Sequence, residues 1–565
     1  MNTRTVISIS AIVCLLLSAE ASAQTQMPQL SLTKISPPTG ATNVTPVAVD
    51  AKGNVFGNAQ LSSGFNLIEW VGGTTPVAYP RLPADQNNPA VSYGFGAFNA
   101  SGAVVGGWSR GATSTSVATS QGIYWDISKH PTAVPKAGAL AGISDSNILV
   151  GLVGQSDGGT AAYWTSPTSQ PTLLPYPSQI DCSVPAANNC YSWTTAISPN
   201  GKYITGGANL LDVHSSYGLM WINGVQASNY GGYEVNASQV TNAGIVIGSS
   251  RTEFESPFPP QLFIPHAFEW EAGTLTDLGC LPGAPAGSTF ESGAAAMNSS
   301  GTIVGYSQVA DHVYHATMWV NRQIVDLNTA LASQLPSGWH LQSAGSINDA
   351  GEILLYAAND ETGEGAYYLA KPLITSHTTI TSNINPSTYG QQIHLVARVS
   401  PDSGPVPTTG SVSWYDNGKL LGTARMTSIG TSSWEPSSWT GGVHSVTAAF
   451  PGSNTVGAST SPVFKQTVNA ASTRTTLSVS ANPATHGKSV QFTATVVPAS
   501  GTIAGTVTYK SGTTVLGTGT LDGRTKQTHF TTTFTKAGSY AITAVYAGSQ
   551  NFLTSTSKTL TVTVK

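Results

Sequence analysis

Charged residues are scarce in this sequence. Asp, Glu, Lys and Arg make up 9% of its 565 residues, against about 25% in an average soluble domain. The formal net charge is -4, so the chain lacks the basic field that proteins use to bind nucleic acid or anionic membrane surfaces. We therefore expect no nucleic-acid partner and no attachment to anionic lipid.

Long apolar segments are missing beyond the N-terminus. The apolar run at 6–17 is too short to span a bilayer, and it precedes an A-S-A motif that ends at Ala23. These features predict a secretory signal peptide at residues 1–23. Lipid attachment at Cys14 is the weaker alternative, because a valine stands where a lipoprotein signal has a small residue. With no second run of about 18 apolar residues, we expect a secreted, extracellular protein without a membrane span.

Cysteine is rare as well, with four in the whole sequence. Removal of the signal peptide leaves Cys182, Cys190 and Cys280. Export to an oxidising compartment favours a disulfide between Cys182 and Cys190, which would close a short loop; the alternative is two reduced thiols. Cys280 is then unpaired, and we interpret it as a small buried apolar residue.

Glycine, by contrast, is abundant, with 59 residues, and part of it marks an internal repeat. A turn of the NSSG type recurs seven times, in segments such as AFNASGAVVG and AMNSSGTIVG. Asn or Asp opens such a turn and Gly supplies the residue with positive φ; in the third unit we expect Asn to replace Gly. The aligned positions are Gly53, Gly102, Asn147, Gly201, Gly244, Gly301 and Gly351.

Each turn is followed by a short aromatic strand, which ends in Trp in six of the seven units. A further short strand follows in most units, so each unit supplies a four-stranded meander. This pattern predicts an all-β fold, a seven-bladed β-propeller whose Trp side chains fill the wedges between blades; an open β-solenoid is the alternative. The seventh unit lacks its last strand, which we expect the segment 30–36 to supply. The segment 326–335 is predicted to be a short connecting helix capped by Asn328 or Thr329.

Three segments of the fifth and sixth units carry a family resemblance. HAFEW, TLTDLG and AMNSSGTIVGYS, between His266 and Ser307, resemble the HAF-type extracellular repeat of bacterial secreted proteins. The resemblance covers residues 30–370, although the His and DLG elements are absent from the first three units. It implies a secreted repeat protein, and the family itself offers no established chemistry.

The sequence changes after Pro372 to alternating Thr, Ser and Val. Two units of about 95 residues follow, each with some seven short strands, which predicts immunoglobulin-like sandwiches without a core disulfide. They resemble the bacterial Ig-like modules that act as spacers or adhesive stalks. The predicted domains are therefore a signal peptide at 1–23, a HAF-like propeller at 24–372, and Ig-like domains at 373–470 and 471–565.

The motifs that could carry chemistry favour structural roles. Two G-x-S-x-G matches, at Ser109 and Ser156, precede predicted strands, whereas a nucleophile elbow needs a helix there. His266 and His315 occupy matching positions in two units, and we expect neither to have a carboxylate or cysteine partner nearby. A structural hydrogen bond is therefore favoured over a metal ligand. We predict no catalytic residue, no metal ion and no cofactor.

Recognition residues are expected on one face of the predicted propeller. In a four-stranded meander, the connection from the second to the third strand and the connection to the next blade share a face, and both are long here. Long loops on a rigid scaffold commonly carry recognition residues; the alternative is a solvated set of loops without a ligand. The candidate ligand-binding loop residues are Trp108, Arg110, Tyr176, Asp181, Arg251, Phe254 and Phe258.

These observations favour a secreted, monomeric, non-enzymatic binding or adhesion protein. Its partner would be an extracellular glycan or a protein surface, with the propeller as recognition head on an Ig-like stalk. A structural protein of the cell surface or matrix is the alternative. An enzyme that acts on polysaccharide is less favoured, because the inner strands carry Ala, Gly, Ser and Thr rather than convergent carboxylates.

Overall fold

The structure is a computed structural model of the chain. It describes residues 29–86, 88–110, 119–154, 159–176, 191–209, 216–229, 233–251, 265–281, 290–437 and 439–565. The predicted signal peptide and the predicted disulfide between Cys182 and Cys190 lie outside these residues. No helix in the described ranges is long and apolar enough to cross a membrane. The chain divides into two compact units, of which the first ends at Pro372 and the second is Leu373–Lys565.

The first unit contains seven four-stranded antiparallel sheets, which we number 1 to 7 along the chain. In sheets 1 to 6, four consecutive strands pair in chain order. Their bounds are, for sheet 1, β2 (Thr42–Val49), β3 (Val55–Leu61), β4 (Gly64–Val71) and β5 (Thr75–Ala78); for sheet 2, β6 (Val91–Phe98), β7 (Val104–Arg110), β8 (Thr119–Trp125) and β9 (Pro131–Ala133); for sheet 3, β10 (Ala137–Ile143), β11 (Leu149–Val153), β12 (Thr160–Trp164) and β13 (Thr172–Leu173).

The next three sheets follow the same pattern. Their bounds are, for sheet 4, β14 (Tyr191–Ile197), β15 (Tyr203–Asn209), β16 (Ser216–Ile222) and β17 (Val225–Asn229); for sheet 5, β18 (Tyr233–Val240), β19 (Val246–Arg251), β20 (His266–Glu271) and β21 (Thr274–Asp277); for sheet 6, β22 (Ser292–Met297), β23 (Ile303–Ala310), β24 (Val313–Val320) and β25 (Gln323–Asp326).

Sheet 7 takes its outer strand from the other end of the unit. It consists of β26 (Trp339–Ile347), β27 (Ile353–Asn359), β28 (Gly365–Pro372) and the N-terminal strand β1 (Leu30–Lys34). β1 pairs antiparallel with β28, so that Leu30 lies opposite Pro372 and Lys34 lies opposite Tyr368. This pairing confirms the prediction that the N-terminal segment supplies the missing strand of the last unit.

The seven NSSG-type turns have the predicted backbone. The first and second strands of every sheet are joined by five residues, for example 99–103 in sheet 2 and 298–302 in sheet 6. The aligned glycines have positive φ, such as 93° at Gly102, and Asn147 takes the same region with φ 59°. Most residues adopt positive φ only at a steric cost. Gly has no such cost and Asn a smaller one than most, which is why Gly or Asn recurs at this position of the turn.

Five of the six recurrent Trp side chains are buried between neighbouring sheets, as predicted, and Trp270 of sheet 5 is partly buried. Trp125 of sheet 2 is 0% exposed and packs with Phe56 and Leu67 of sheet 1 and with Tyr79, which directly follows that sheet. Its indole N–H also donates to the carbonyl of Pro80, directly after sheet 1, at 2.8 Å. Four more indoles make the same kind of bond to the chain that leaves the preceding sheet: Trp70 to Ser36 O, Trp164 to Pro135 O, Trp221 to Pro175 O and Trp319 to Leu278 O.

The first and last sheets are also in contact. The backbone N–H of Val49 in sheet 1 donates to Ser346 Oγ in sheet 7 at 3.1 Å. One apolar cluster contains Trp70 and Val55 of sheet 1 together with Leu354 and Leu369 of sheet 7. Sheet 7 therefore meets sheet 1 through the same kinds of contact that join consecutive sheets.

A short helix, α1 (Leu327–Leu331), lies where the sequence predicted a connector. It is followed by a 3₁₀ turn, Ala332–Gln334, and a second 3₁₀ turn occurs at Pro83–Asp85. The predicted cap was wrong. Asp326 caps the helix, because its carboxylate accepts from the backbone N–H of Asn328 at 2.8 Å, which satisfies one of the free donors of the first turn.

The second unit contains two β-sandwich domains. The first pairs the sheet β29 (Ser376–Ser382), β31 (Leu395–Pro401), β34 (Thr431–Trp434) with the sheet β30 (Ser387–Thr388), β32 (Ser411–Asp416), β33 (Lys419–Arg425), β35 (Gly442–Phe450), β36 (Ser459–Thr460), β37 (Phe464–Asn469). The second pairs β38 (Thr473–Val479), β39 (Ser489–Pro498), β42 (Gln527–Thr533) with β40 (Thr506–Ser511), β41 (Thr514–Thr520), β43 (Gly538–Tyr546), β44 (Ser555–Thr556), β45 (Leu560–Val564).

Each sandwich has its own apolar core, centred on Trp414 in the first and on Tyr509 and Tyr546 in the second. Neither contains a cysteine. Aromatic and branched side chains therefore supply the stabilisation that a disulfide gives in other Ig-like domains.

The inter-sheet indole bond can be tested with Trp125→Phe. The substitution keeps most of the buried ring but leaves the Pro80 carbonyl without its donor, so we expect a loss of about 1–3 kcal/mol in the free energy of unfolding of the first unit. Urea unfolding of the full chain, followed by fluorescence, measures it.

Trp108→Phe is the matched control. Trp108 packs against the same cluster, but its indole N–H has no hydrogen-bond partner within the described residues. We expect a markedly smaller loss than for Trp125→Phe. Equal losses in the two variants would show that the indole bond contributes nothing beyond packing.

Candidate functional site

The two edges of the sheets in the first unit differ in their connections. We call the edge with the first-to-second and third-to-fourth strand turns the turn edge, and the opposite edge the loop edge. Turns on the turn edge are short, such as 223–224 and 272–273 in addition to the seven five-residue turns. Connections on the loop edge range from two residues, at 62–63 and 311–312, to the long segments 252–265, 278–291 and 174–190. The prediction of long connections on this edge therefore holds for part of them.

Hydrogen bonds join neighbouring sheets at the turn edge. Backbone N–H groups of one turn donate to a side-chain oxygen of the next, as from Ala100 to Asp145 Oδ1 at 2.9 Å and from Ser299 to Asp349 Oδ1 at 2.7 Å. Asn348 of sheet 7 donates to the backbone carbonyl of Asp50 in sheet 1 at 2.7 Å. These turn residues therefore have structural roles, which leaves the loop edge as the variable surface.

Two of the predicted loop residues lie in a strand, which corrects the prediction. β7 extends to Arg110, and Trp108 within it lies opposite Tyr93 and Gln121. The alternating segment VVGGWSR continues the strand further than its glycines indicated. The Trp108 ring is partly buried, and Arg110 Nε has no hydrogen-bond partner within the described ranges.

The other predicted residues lie apart from these two. Tyr176 follows β13 and packs, partly buried, against the apolar cluster between sheets 3 and 4. Arg251 ends β19. Asp181, Phe254 and Phe258 lie outside the described residues, as does Ser156 of the second G-x-S-x-G match. Ser109 of the first match is exposed in β7, opposite Ser92 and Ser120, and a strand follows it.

An aromatic pair at the loop edge of sheet 4 was missed by the sequence reasoning. Tyr191, with 40% of its surface exposed, and Trp193 lie on one face of β14 with ring centroids 5.8 Å apart. Gly207 on the neighbouring strand makes room for the indole, since a Cβ there would lie 2.5 Å from the Trp193 ring. The alternation Y-S-W at 191–193 was the available signal.

The two matching histidines each have a carboxylate partner, contrary to the prediction. His266 Nδ1 lies 3.1 Å from Asp277 Oδ2, and His315 Nδ1 lies 2.8 Å from Asp326 Oδ2. In both units the aspartate ends the strand that pairs with the histidine's strand. Antiparallel pairing thus brings together residues eleven positions apart, a separation that recurs in the sequence and was available as a signal.

Cys280 joins the first of these pairs, so the interpretation of Cys280 as a buried apolar residue was wrong. Its Sγ lies 3.7 Å from His266 Nε2 and 3.2 Å from the carbonyl of Phe290, and the residue is half-buried. The hydrogen bond with Asp277 raises the pKa of His266 to about 10, the Cys280 sulfur acts in the same direction, and burial opposes both. At neutral pH the imidazole is therefore protonated.

The second pair has a different neighbour. The His315 ring lies 5.7 Å from the ring of His340 in sheet 7, centroid to centroid. Burial raises the pKa of Asp326, but hydrogen bonds from His315 and Asn328 outweigh it and hold that pKa below its usual value. No group of three or more His, Cys, Asp or Glu side chains within the described part of the chain is arranged to hold a metal ion.

The His266 cluster predicts a pH-dependent stability. A raised pKa in the folded state stabilises the fold fully below the unfolded pKa of about 6.5, and this stabilisation is lost as the pH rises towards about 10. His266→Gln should therefore be less stable than the parent chain at pH 6 and should lose less stability between pH 6.5 and 10. Urea unfolding at a series of pH values measures this.

His312→Gln serves as the control, because the side chain of His312 is 91% exposed, and its pH profile should match that of the parent. A His266→Gln profile with the parent's slope would contradict the assignment.

Comparisons with known proteins give a family for the second unit only. No curated protein matches the chain. Among solved structures, a chain from a structural and mechanistic analysis of two prolyl endopeptidases is 10% identical to this one. The match covers 72% of this chain and 60% of the other chain, with a TM-score of 0.38. The acylaminoacyl peptidase of Pyrococcus horikoshii gives 9% identity over 66% and 59%, with a TM-score of 0.37. This chain thus spans less than two thirds of either peptidase.

The fibronectin(III)-like modules of Clostridium thermocellum CbhA give 16% identity over 33% of this chain and 92% of that chain, with a TM-score of 0.15. None of these scores is high enough to assign a fold or an activity. The family described as bacterial Ig-like domain (group 3) matches residues 380–469 and again residues 477–565. The second unit therefore consists of two bacterial Ig-like domains.

Proposed function

We propose that this chain is a secreted, non-enzymatic binding protein that recognises an extracellular glycan or protein surface through the loop edge of its first unit. The observation that carries the proposal is the difference between the two edges. The turn edge has short turns that bond to one another across sheets, whereas the loop edge has connections of very unequal length, the longest of which are 174–190, 252–265 and 278–291. Such loops on a rigid scaffold are where recognition residues usually occur.

The scaffold is proposed to be a closed seven-bladed propeller of HAF-type repeats. Three contacts support closure. β1 completes sheet 7, Asn348 bonds to the backbone of Asp50, and Trp70 donates to Ser36 at 2.7 Å. Ser36 follows β1, the outer strand of the last sheet, so this bond has the same form as the indole bonds between consecutive sheets.

An extracellular location is supported by the second unit, because bacterial Ig-like domains are commonly extracellular. The mature protein is proposed to begin at Gln24, and the Cys182–Cys190 disulfide would form on export. The two Ig-like domains would then act as a stalk, and the propeller as the recognition head.

The ligand class follows from the side chains at the loop edge. Tyr191 and Trp193 offer an aromatic surface that is partly exposed, and Arg110 offers a guanidinium whose Nε has no partner within the described chain. Aromatic rings and planar donors suit sugar faces, carboxylated sugars and protein surfaces. Trp108 contributes by packing beneath this edge rather than by contact.

Binding can be tested with the mature full chain on arrays of glycans and matrix proteins. Once a ligand is found, we expect Arg110→Ala combined with Tyr191→Ala to weaken the Kd by about tenfold or more, because both side chains lie at the loop edge. Surface plasmon resonance measures the change.

Ile127→Ala is the control at the turn edge, where Ile127 is 70% exposed, and it should bind as the parent does. The proposal fails if no array component binds, or if the control weakens binding while the double variant does not.

Closure can be tested by deleting residues 30–36, which removes β1. The edge of β28 would then be unpaired, so we expect a lower melting temperature and aggregation, measured by calorimetry and light scattering. A deletion that stops at residue 28 leaves β1 intact and is the control. A 30–36 deletion that stays monomeric and melts like the control would contradict closure through β1.

A further inference from the structure

A thiol, an imidazole and a carboxylate are linked in a row at the loop edge of sheet 5. Nε2 of His266 lies 3.7 Å from Cys280 Sγ, and Nδ1 of the same ring lies 3.1 Å from Asp277 Oδ2. One imidazole thus joins the thiol to the carboxylate. A nucleophile, a base and a group that orients the base have this order in cysteine-dependent catalysis.

In sheet 6 the same histidine–aspartate pair forms without a neighbouring thiol in the described part of the chain. His315 and Asp326 form the same pair, and Thr329 takes the place of Cys280 in the sequence. The Thr329 hydroxyl donates to the carbonyl of Asp326 at 2.7 Å within the first turn of α1. The paired histidine and aspartate therefore have a structural role in both sheets, and Cys280 is an addition in sheet 5 alone.

A buried hydroxyl beside this row has no partner within the described residues. Ser250 lies directly opposite His266 in the pairing of β19 with β20, is 1% exposed, and its Oγ makes no hydrogen bond there. Opposed residues of antiparallel strands project from the same face. A buried donor left unpaired costs free energy, and a bound group with an acceptor atom would remove that cost.

We propose that Cys280 is a reactive thiol that exchanges with low-molecular-weight disulfides, with His266 as the cationic partner of its sulfur and Asp277 as a positioning residue. His266 is protonated at neutral pH, and a cationic imidazole beside a sulfur stabilises the thiolate that attacks a disulfide. Asp277 holds Nδ1, which directs Nε2 at the sulfur.

The exchange needs no further oxidant. The Cys280 thiolate attacks one sulfur of the disulfide, the new S–S bond forms on Cys280, and the original S–S bond breaks. The departing half leaves as a thiolate and takes the proton held by His266. One thiol and one disulfide are consumed, and one of each is produced. Polar groups of the small disulfide would reach the Ser250 hydroxyl.

This chemistry goes beyond the proposed binding function and does not depend on it. Binding is assigned to Arg110 and Tyr191 of sheets 2 and 4, whereas the thiol belongs to sheet 5. A half-buried thiol also explains how a chain destined for an oxidising compartment could hold one cysteine outside its predicted disulfide.

The test uses the mature full chain with Cys182→Ser and Cys190→Ser, so that Cys280 is its only cysteine. Cystine is the disulfide probe and iodoacetamide the general thiol probe, with adducts followed by mass spectrometry from pH 5.5 to 9. We expect a mixed disulfide at Cys280 and a rate that falls less steeply below pH 8 than that of a thiol without a cationic neighbour, because the imidazolium of His266 favours the attacking form of the sulfur.

His266→Gln in the same background should react about tenfold more slowly at pH 6, and its rate should rise with pH towards the ordinary thiol pKa of about 8.5. We expect the two rates to differ by about tenfold rather than more, because a thiolate that a cation stabilises is intrinsically less nucleophilic. The rate of Asp277→Asn at pH 6 should lie between the rate of the parent and that of His266→Gln. A circular-dichroism melt of each variant confirms that it is folded.

Cys280→Ser combined with Thr329→Cys is the matched control, because it places a thiol beside the second histidine and aspartate without the row of contacts. Its rate should follow the ordinary thiol profile. The proposal is overturned if Cys280 of the parent follows that same profile, or if cystine reacts no faster with the folded chain than with the urea-unfolded one. The parent's own profile decides the question even if a variant fails to fold.

Discussion

The bond from a buried indole N–H to a carbonyl of the preceding sheet's chain is the interaction on which the first unit depends. A four-stranded sheet of this size cannot bury both of its faces alone, so each must be fixed against a neighbour. The apolar area of the ring supplies most of the stabilisation, and the N–H fixes the spacing and the orientation, because an unpaired buried donor or acceptor is costly. The five indoles with this bond are Trp70, Trp125, Trp164, Trp221 and Trp319.

This constraint divides the molecule into a fixed part and a variable part. The turns between first and second strands are held by packing and by bonds between successive turns, and all seven have five residues. Connections at the loop edge differ several-fold in length. The variable part is therefore the place where a ligand can be recognised without loss of the scaffold. Cys280 lies there too, next to a pair of residues that sheet 6 retains for structure alone.

Much of the architecture could be predicted from the sequence, because it repeats. A turn with Asn and Gly, an aromatic strand and a period near fifty residues are local signals, and seven copies reinforce one another. The reach of β7 to Arg110 and the cap at Asp326 were missed because they depend on single residues in one unit. The row from Asp277 to Cys280 was missed because it joins two strands and a connection, and no local pattern reports such a contact. The separation of eleven residues between histidine and aspartate occurs twice in the sequence, and it was the signal that could have predicted the contact between His266 and Asp277.

The central claim is that sheets 1, 2, 3, 4 and 6 are each fixed to the preceding sheet by the same indole bond, with sheet 7 as the sheet that precedes sheet 1. Hydrogen exchange of the indole N–H groups, measured by NMR on a Trp-labelled chain, tests it most directly. The account predicts that the Trp70 N–H, which donates to Ser36 after β1, is protected as strongly as those of Trp125, Trp164, Trp221 and Trp319. It also predicts that the Trp108 N–H exchanges much faster. Fast exchange at Trp70 alone would show that the first sheet is not fixed to the last, and would contradict the account.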